Sequence, residues 1–375
     1  MQITRLSDLA DVGKCPRLVV KIGSSLLVGA AGLRRDWLDG LVRELAAARG
    51  RGQELIVVSS GAIALGAARL GLDKGGRGNL ADAQAAAAVG QIALSGLWAQ
   101  LLSEHGLTAA QLLLTLDDLE DRRRYLNATA TLTRLLDLGA VPVINENDSV
   151  ATQEIRFGDN DRLAARVAQA AGASAVLLLS DVDGLFDRNP AEPGAQRLPL
   201  VRGVTPAIQA MAGGGSASGL GSGGMKSKLQ AAEIAERAGI ALAIASGLVD
   251  APLARVCAGE VGTLFLPLRK AGARKAWLGG RLKLKGALLV DAGAVTALGR
   301  GGSLLAAGIT GIEGEFKRGD AVAVRGPAGV IAHGLAEYGA ADCAKLLGRK
   351  NSEQAALLGY APRSAVVHRD QLELL

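Results

Sequence analysis

Six short apolar runs alternate with longer helical patterns between Arg17 and about Leu266: Leu18–Val20, Leu55–Val58, Leu112–Leu114, Val141–Ile144, Val176–Leu179 and Ile240–Ala245. A strand that is apolar on both faces must be covered on both faces. A repeated strand-helix pattern therefore predicts an α/β fold, an open and mostly parallel sheet sandwiched by helices. In such sheets ligands bind beyond the carboxyl ends of the strands, so the residues that follow each run are the ones to read for chemistry. No stretch reaches about 18 uninterrupted apolar residues. The alanine-rich run Ala81–Leu102 is broken by Asp82, Gln84 and Gln91, and no membrane span is expected.

The glycine-rich stretch from Gly213 to Gly224 ends in Met225-Lys226-Ser227-Lys228 and runs into an alanine-rich helical segment. Glycines let backbone N–H groups approach an anion, the helix start adds its positive end, and Lys228 places a full charge on a transferring phosphoryl group. A plain Gly/Ser linker has no reason to end in two lysines at a helix start. The Gly-x-x-x-x-Gly-Lys-Ser/Thr spacing occurs nowhere, which argues against a P-loop fold.

The other strand ends carry polar residues of matching use. Lys21 closes the first run ahead of Gly23-Ser24-Ser25, suited to neutralising phosphate, although a solvated strand-edge lysine has the same local sequence. Ser59-Ser60-Gly61 follows the second run and leaves room for a ligand, with Ser60 also readable as an ordinary helix N-cap. The stretch Asn145–Asp161 holds nine carboxylate or amide side chains among its 17 residues. Carboxylates crowded together repel unless a cation joins them, so an ammonium, Mg²⁺ or the lysines must be near. A pair of Asx-turns with a cap at Asp159 is the plainer alternative. Ser180-Asp181 after the fifth run suits a nucleotide ribose or base. His105, His333 and His368 are scattered, with no triad or metal-ligand spacing.

After Phe265 the chain passes through the basic segment Pro267–Lys275 into short runs punctuated by glycine: Leu288–Val290, Ala321–Val324 and Val330–Ala332. These predict a small β-rich domain, a barrel by its pattern, with one helix near Ala340–Leu347. The expected division is 1–268 and 275–375. Net charge is +6 and suits anionic ligands. Cys15, Cys257 and Cys343 are widely spaced, which excludes a cysteine zinc site and favours a reducing compartment. The first 17 residues lack the apolar core of a secretion signal, so a cytoplasmic location is expected.

Taken in order, Lys21-Ile22-Gly23-Ser24-Ser25, Ser59-Ser60-Gly61-Ala62, Asn145-Glu146-Asn147-Asp148, Gly158-Asp159-Asn160-Asp161, Ser180-Asp181 and Gly223-Gly224-Met225-Lys226-Ser227-Lys228 resemble the amino acid kinase family. The Asn-Glu-Asn-Asp and Gly-Asp-Asn-Asp pair resembles its glutamate-phosphorylating branch, and the trailing domain resembles a PUA module. The resemblance runs from about Arg17 to Asp370. It implies ATP-dependent phosphorylation of the side-chain carboxylate of L-glutamate to L-glutamyl 5-phosphate, the first step of proline biosynthesis, in a homo-oligomer inhibited by proline. By position, Lys21 and Lys228 stabilise the transferring phosphoryl group and Asp161 orients them. Ser60, Asp148 and Asn160 bind glutamate. Lys21, Ser180, Asp181 and the segment Ser222, Gly223, Gly224, Met225, Lys226, Ser227 and Lys228 bind ATP, with Mg²⁺ held largely by the phosphates and by no protein ligand.

The sequence departs from the family pattern at Ser180 and Ser227, where threonine is frequent, and at Phe186, where tyrosine is common. A carboxylate is already a nucleophile at pH 7, so no general base is required and the scattered histidines fit. The alternatives are a relative acting on acetylglutamate, aspartate, carbamate or a nucleoside monophosphate, or an RNA-binding regulator. The latter would work through its PUA-like domain and Arg274, Lys275, Arg281, Lys283 and Lys285, but few aromatics interleave these basic residues.

Overall fold

The computed structural model describes residues 2–29, 32–150, 160–213, 224–259, 261–268, 284–363 and 365–375. Gly158, Asp159, Ser222, Gly223 and most of the basic segment after Leu268 lie outside them. The chain forms two compact units, one of Met1–Glu120 and Ala128–Ala271, the other of Asp121–Asn127 and Gly272–Leu375.

The first unit is built on an eight-stranded sheet. Its strands are β1 (Arg17–Ile22), β2 (Glu54–Ser59), β3 (Ala109–Leu114), β4 (Val141–Glu146), β5 (Ala175–Ser180), β6 (Leu200–Arg202), β7 (Ala241–Ser246) and β8 (Thr263–Leu266). They lie in the order β3-β4-β2-β1-β5-β7-β8-β6. The first six in that order are mutually parallel, while β8 runs antiparallel to β7 and pairs with β6. Six of these strands coincide with the apolar runs in the sequence. The two missed, β6 and β8, are three and four residues long, too short to carry a periodicity.

The helices of this unit are α1 (Ser24–Leu27), α2 (Arg35–Gly50), α3 (Ala62–Leu70), α4 (Leu80–Ser103), α5 (Leu116–Glu120), α6 (Arg122–Asp137, whose first turns count with the second unit), α7 (Asn160–Ala171), α8 (Pro206–Ala210), α9 (Met225–Arg237) and α10 (Pro252–Ala258). Side chains alternate across a strand. Leu18, Val20 and Ile22 of β1 accordingly join Leu38, Leu41 and Leu45 of α2 and Trp98 and Leu101 of α4 in one buried cluster. Val19 and Lys21 take the opposite parity, and α7 packs against β1 as well as against α9. That parity is what aims a lysine at a helix N-terminus.

By length and composition α4 could cross a membrane, but its small residues have another use. A Cβ on Gly66 would come within 1.8 Å of the Ala86 carbonyl oxygen, and one on Gly90 within 1.8 Å of that of Ala62. The backbones of α3 and α4 therefore touch, and Ile63, Ala67, Ala83, Ala86 and Ala87 close a small cluster beside that contact.

The second unit carries a five-stranded mixed sheet of β9 (Gly286–Val290), β10 (Ile309–Gly314), β11 (Ala321–Gly326), β12 (Gly329–Leu335) and β13 (Leu372–Leu374), in the order β10-β9-β11-β12-β13. Its core gathers Leu288, Val290, Phe316, Val322, Val324 and Tyr338 with Cys343 and Leu346 of α12 (Ala340–Leu346). Two further helices, α11 (Ala292–Gly299) and α13 (Asn351–Leu358), were not anticipated. Leu126 packs with Ala321 and Leu335, which is why the start of α6 counts with this unit.

Candidate active site

Asp161, in the first turn of α7, is fully buried between two lysines. Its Oδ1 lies 2.6 Å from Lys21 Nζ and its Oδ2 3.1 Å from Lys228 Nζ. Lys21 comes from β1 and Lys228 from the first turn of α9, so three elements converge on one carboxylate. Burial opposes ionisation of Asp161, but the two ammonium groups override it and hold the carboxyl below the usual carboxylate range. Burial pushes Lys21 below its ordinary value; Asp161 pulls it back up and Lys228 pushes it further down. Two lysines thus share one carboxylate in a place where Lys21 is 6 % and Lys228 3 % exposed, an arrangement that favours an anionic ligand.

Beside the triad lies a polar chain. Asn160, which precedes Asp161, donates from Nδ2 to Ser60 Oγ at 2.9 Å and to Asn145 Oδ1 at 3.1 Å. Asn145 in turn donates to Gln91 Oε1 on α4 at 2.8 Å. The Asn160 oxygen is buried and has no hydrogen-bond partner among the described residues. Ser60 is held by its backbone N–H donating to the Ile22 carbonyl at 3.1 Å. It is not the helix cap that its type allowed: Gly61 caps α3 at φ 114°, a left-handed conformation that favours glycine, and no side chain caps it. Below, Trp98 Nε1 donates to Ser59 Oγ at 2.9 Å, fixing the strand end from the core.

Asp148, two residues past β4, has its carboxyl pushed up to about 6 by burial, with the Arg77 guanidinium pulling the other way. It lines a cavity of about 350 Å³ with Gln91, Gln111, Glu146 and Asn147.

On the opposite side of β1 the nucleotide candidates gather. Ser180 is buried at the end of β5, and its Oγ accepts from the Val182 N–H at 3.3 Å. Asp181 is near enough to favour the charged form of Lys21. Gly224, without a side chain to cap it, begins α9 ahead of Met225, Lys226 and Ser227. The Ser227 hydroxyl is buried there without a partner among the described residues. The first N–H groups of α9, a hydroxyl and Lys228 at one helix start form a donor set for phosphate oxygens. Among the described residues no three His, Cys, Asp or Glu side chains converge to hold a metal.

The structure thus brings together Lys21, Asp161 and Lys228, and Ser60 with Asn160. Gln91, Asn145, Ser59, Trp98 and Arg77 are additions. Asn145 stood inside the amide-rich stretch. Ser59 stood inside the Ser59-Ser60-Gly61 motif; Gln91, Trp98 and Arg77 are ordinary residues of a helix and a turn, whose sequence carries no sign of a role.

A parallel sheet with one lysine near the carboxyl end of a central strand and a second in the first turn of a helix, both on one buried carboxylate, defines a phosphotransferase of the α/β class. The signature of the Amino acid kinase family matches residues 16–246 and that of the PUA domain residues 286–357; the chain belongs to the amino acid kinase family. It is 69% identical to the Glutamate 5-kinase of Novosphingobium aromaticivorans, over 100% of both chains. It is 62% identical to that of Sphingopyxis alaskensis, over 98% of this chain and 100% of the relative. With the Glutamate 5-kinase of Zymomonas mobilis it shares 55% over 96% of this chain and 92% of that one.

Proposed function

We propose that this chain transfers the γ-phosphoryl group of ATP to the side-chain carboxylate of L-glutamate, giving L-glutamyl 5-phosphate, the first step of proline biosynthesis. The observation that carries the reading is the buried Lys21–Asp161–Lys228 cluster, two ammonium groups gathered on one carboxylate between a phosphate-type helix start and the Ser60–Asn160 pair. A glutamate oxygen attacks the γ-phosphorus, the bond from that phosphorus to the β,γ-bridging oxygen breaks, and ADP leaves with the electron pair. No proton moves, because a carboxylate of pKa about 4.3 is already ionised. Lys21 and Lys228 bind the equatorial oxygens, where charge is greatest in transit, and Asp161 holds both ammonium groups at the distance the phosphoryl group needs.

Ser60, Asp148 and Asn160 hold glutamate; Ser180, Asp181 and the start of α9, with Ser222 and Gly223 ahead of it, hold the nucleotide. Mg²⁺ enters with the triphosphate as part of the substrate, its ligands mainly phosphate oxygens, since Asp161 is committed to two lysines. The buried Asn160 oxygen and the Asp148 carboxylate favour a free ammonium over an acylated amine. The same proposal includes inhibition by proline, a homo-oligomer and a cytoplasmic location, supported by full-length similarity to the glutamate 5-kinases. The test is a hydroxamate trap: with ATP and Mg²⁺, acyl phosphate is expected from glutamate and not from N-acetylglutamate. Equal turnover of the two would refute the assignment.

A further inference from the structure

We propose that Gln91 is a positioning residue that sets the polarity of the amide chain running through Asn145 to Asn160, and so decides that Asn160 meets the substrate with its carbonyl oxygen. The inference rests on the reading above that Asn160 holds glutamate. A primary amide has one donating and one accepting end. In the sequence Gln91 Oε1, Asn145 Nδ2, Asn145 Oδ1, Asn160 Nδ2, each donor meets an acceptor, at 2.8 and 3.1 Å. Reversing a single member would set donor against donor or acceptor against acceptor. Asn145 is 2 % and Asn160 5 % exposed, and in such places a mismatched polar pair is costly. The three amides therefore reverse together or not at all.

In the observed direction Asn160 Nδ2 is spent on Asn145 and Ser60, and its buried Oδ1 is left over as an acceptor. That end suits an ammonium. In the reversed direction Gln91 would donate inward, Asn160 Oδ1 would be consumed by Asn145, and the substrate would meet an N–H, which suits a carboxylate. Control falls to Gln91 because of where it stands. It is half-buried and lines two adjoining cavities of about 350 and 340 Å³, whereas Asn145, which borders the second of them, and Asn160 are almost wholly buried. Its position on α4 is fixed by the contact of its neighbour Gly90 with the Ala62 carbonyl and by Ser95 Oγ donating to the Gln91 carbonyl at 2.9 Å.

Substitutions that dictate polarity test this. Gln91→Glu offers only acceptors and keeps the observed direction, so its KM for glutamate is expected within about threefold of the wild type. Gln91→Lys offers only donors, and Gln91→Met offers neither; both should raise the KM for glutamate about tenfold or more, with the KM for ATP within about twofold. If Gln91→Met fails to fold, the Glu and Lys variants still read polarity at one site. Asn160→Ala is the control and should raise the KM for glutamate. If it does so while Gln91→Lys and Gln91→Met behave as wild type, or if Glu, Lys and Met are equally impaired, the polarity role is wrong and the substrate site stands. If Asn160→Ala leaves the KM unchanged, the substrate site itself is misplaced and the inference falls with it.

Discussion

A carboxylate held between two lysines cannot be judged by counting ion pairs. Removing one partner from a buried pair costs about 3–5 kcal/mol, because it strands the other charge. Asp161→Ala would strand two ammonium groups and is expected to unfold or inactivate without discrimination. Lys228→Ala is more informative, since it leaves Lys21 paired with Asp161. It should lower kcat by roughly 10² to 10³, as for loss of one preorganised charge at a developing transition state, with a smaller change in the KM for glutamate. Steady-state kinetics decide it, and a kcat within about threefold of wild type would place Lys228 away from the phosphoryl group. Asp148 supplies the pH dependence. Its carboxyl is raised to about 6, so it is ionised above that pH and neutral below. An ammonium is held only by the ionised form. The kcat/KM for glutamate should therefore fall with pH below about 6, approaching tenfold per unit, and Asp148→Asn should be poor at all pH values with that limb flattened. An unchanged acid limb in the variant would assign it to another group.

At the scale of elements, the contact between α3 and α4 sets the substrate side of the site. Ser60 lies just before α3 and Gln91 just after Gly90 on α4, so any change in their spacing reaches both ends of the amide chain. A Cβ at Gly90 would meet backbone atoms at 1.8 Å, which no rotamer change relieves. Gly90→Ala is expected to cost about 1–3 kcal/mol in urea unfolding, in the range for overpacking, and to raise the KM for glutamate more than that for ATP. Stability and both KM values unchanged would show that the helices slide apart freely. The site was partly legible at this scale. Lys21, Ser60, Asp161 and Lys228 each sit at a strand end or helix start, and their neighbours in sequence announce them. Gln91 and Trp98 lie inside a long alanine-rich helix, and nothing local separates a core residue from a hydrogen-bond partner there.

For the whole molecule, every residue proposed for chemistry belongs to the first unit. A chain ending at Leu268 is expected to keep glutamate-dependent hydroxamate formation. It will lack Ala321 and Leu335, with which Leu126 packs at 2 % exposure. An uncovered leucine of that kind costs on the order of 1.5–3 kcal/mol of burial and adds to surface that promotes association. The truncated chain should aggregate more readily in light scattering than the full one, and Leu126→Gln should reduce that tendency. A truncated chain that is folded by circular dichroism yet inactive would mean that the second unit contributes to the site.

The sequence by itself determined the parallel sheet, because runs that are apolar at every position admit few other folds, and it pointed to phosphate chemistry at the ends of those runs, where a solvated lysine or a flexible linker was the plainer alternative. Tertiary structure decided the rest: that one carboxylate serves both lysines, that α3 and α4 touch through Gly66 and Gly90, that Gly61 rather than Ser60 caps α3, and that Asn127 and its predecessors count with the second unit. Apart from the Gly61 cap, which is local, each of these is a contact between residues far apart in the chain. Local propensity and periodicity report only what a residue's neighbours in sequence can impose, whereas the partner of a buried charge or amide is chosen by the packing that excludes water from around it.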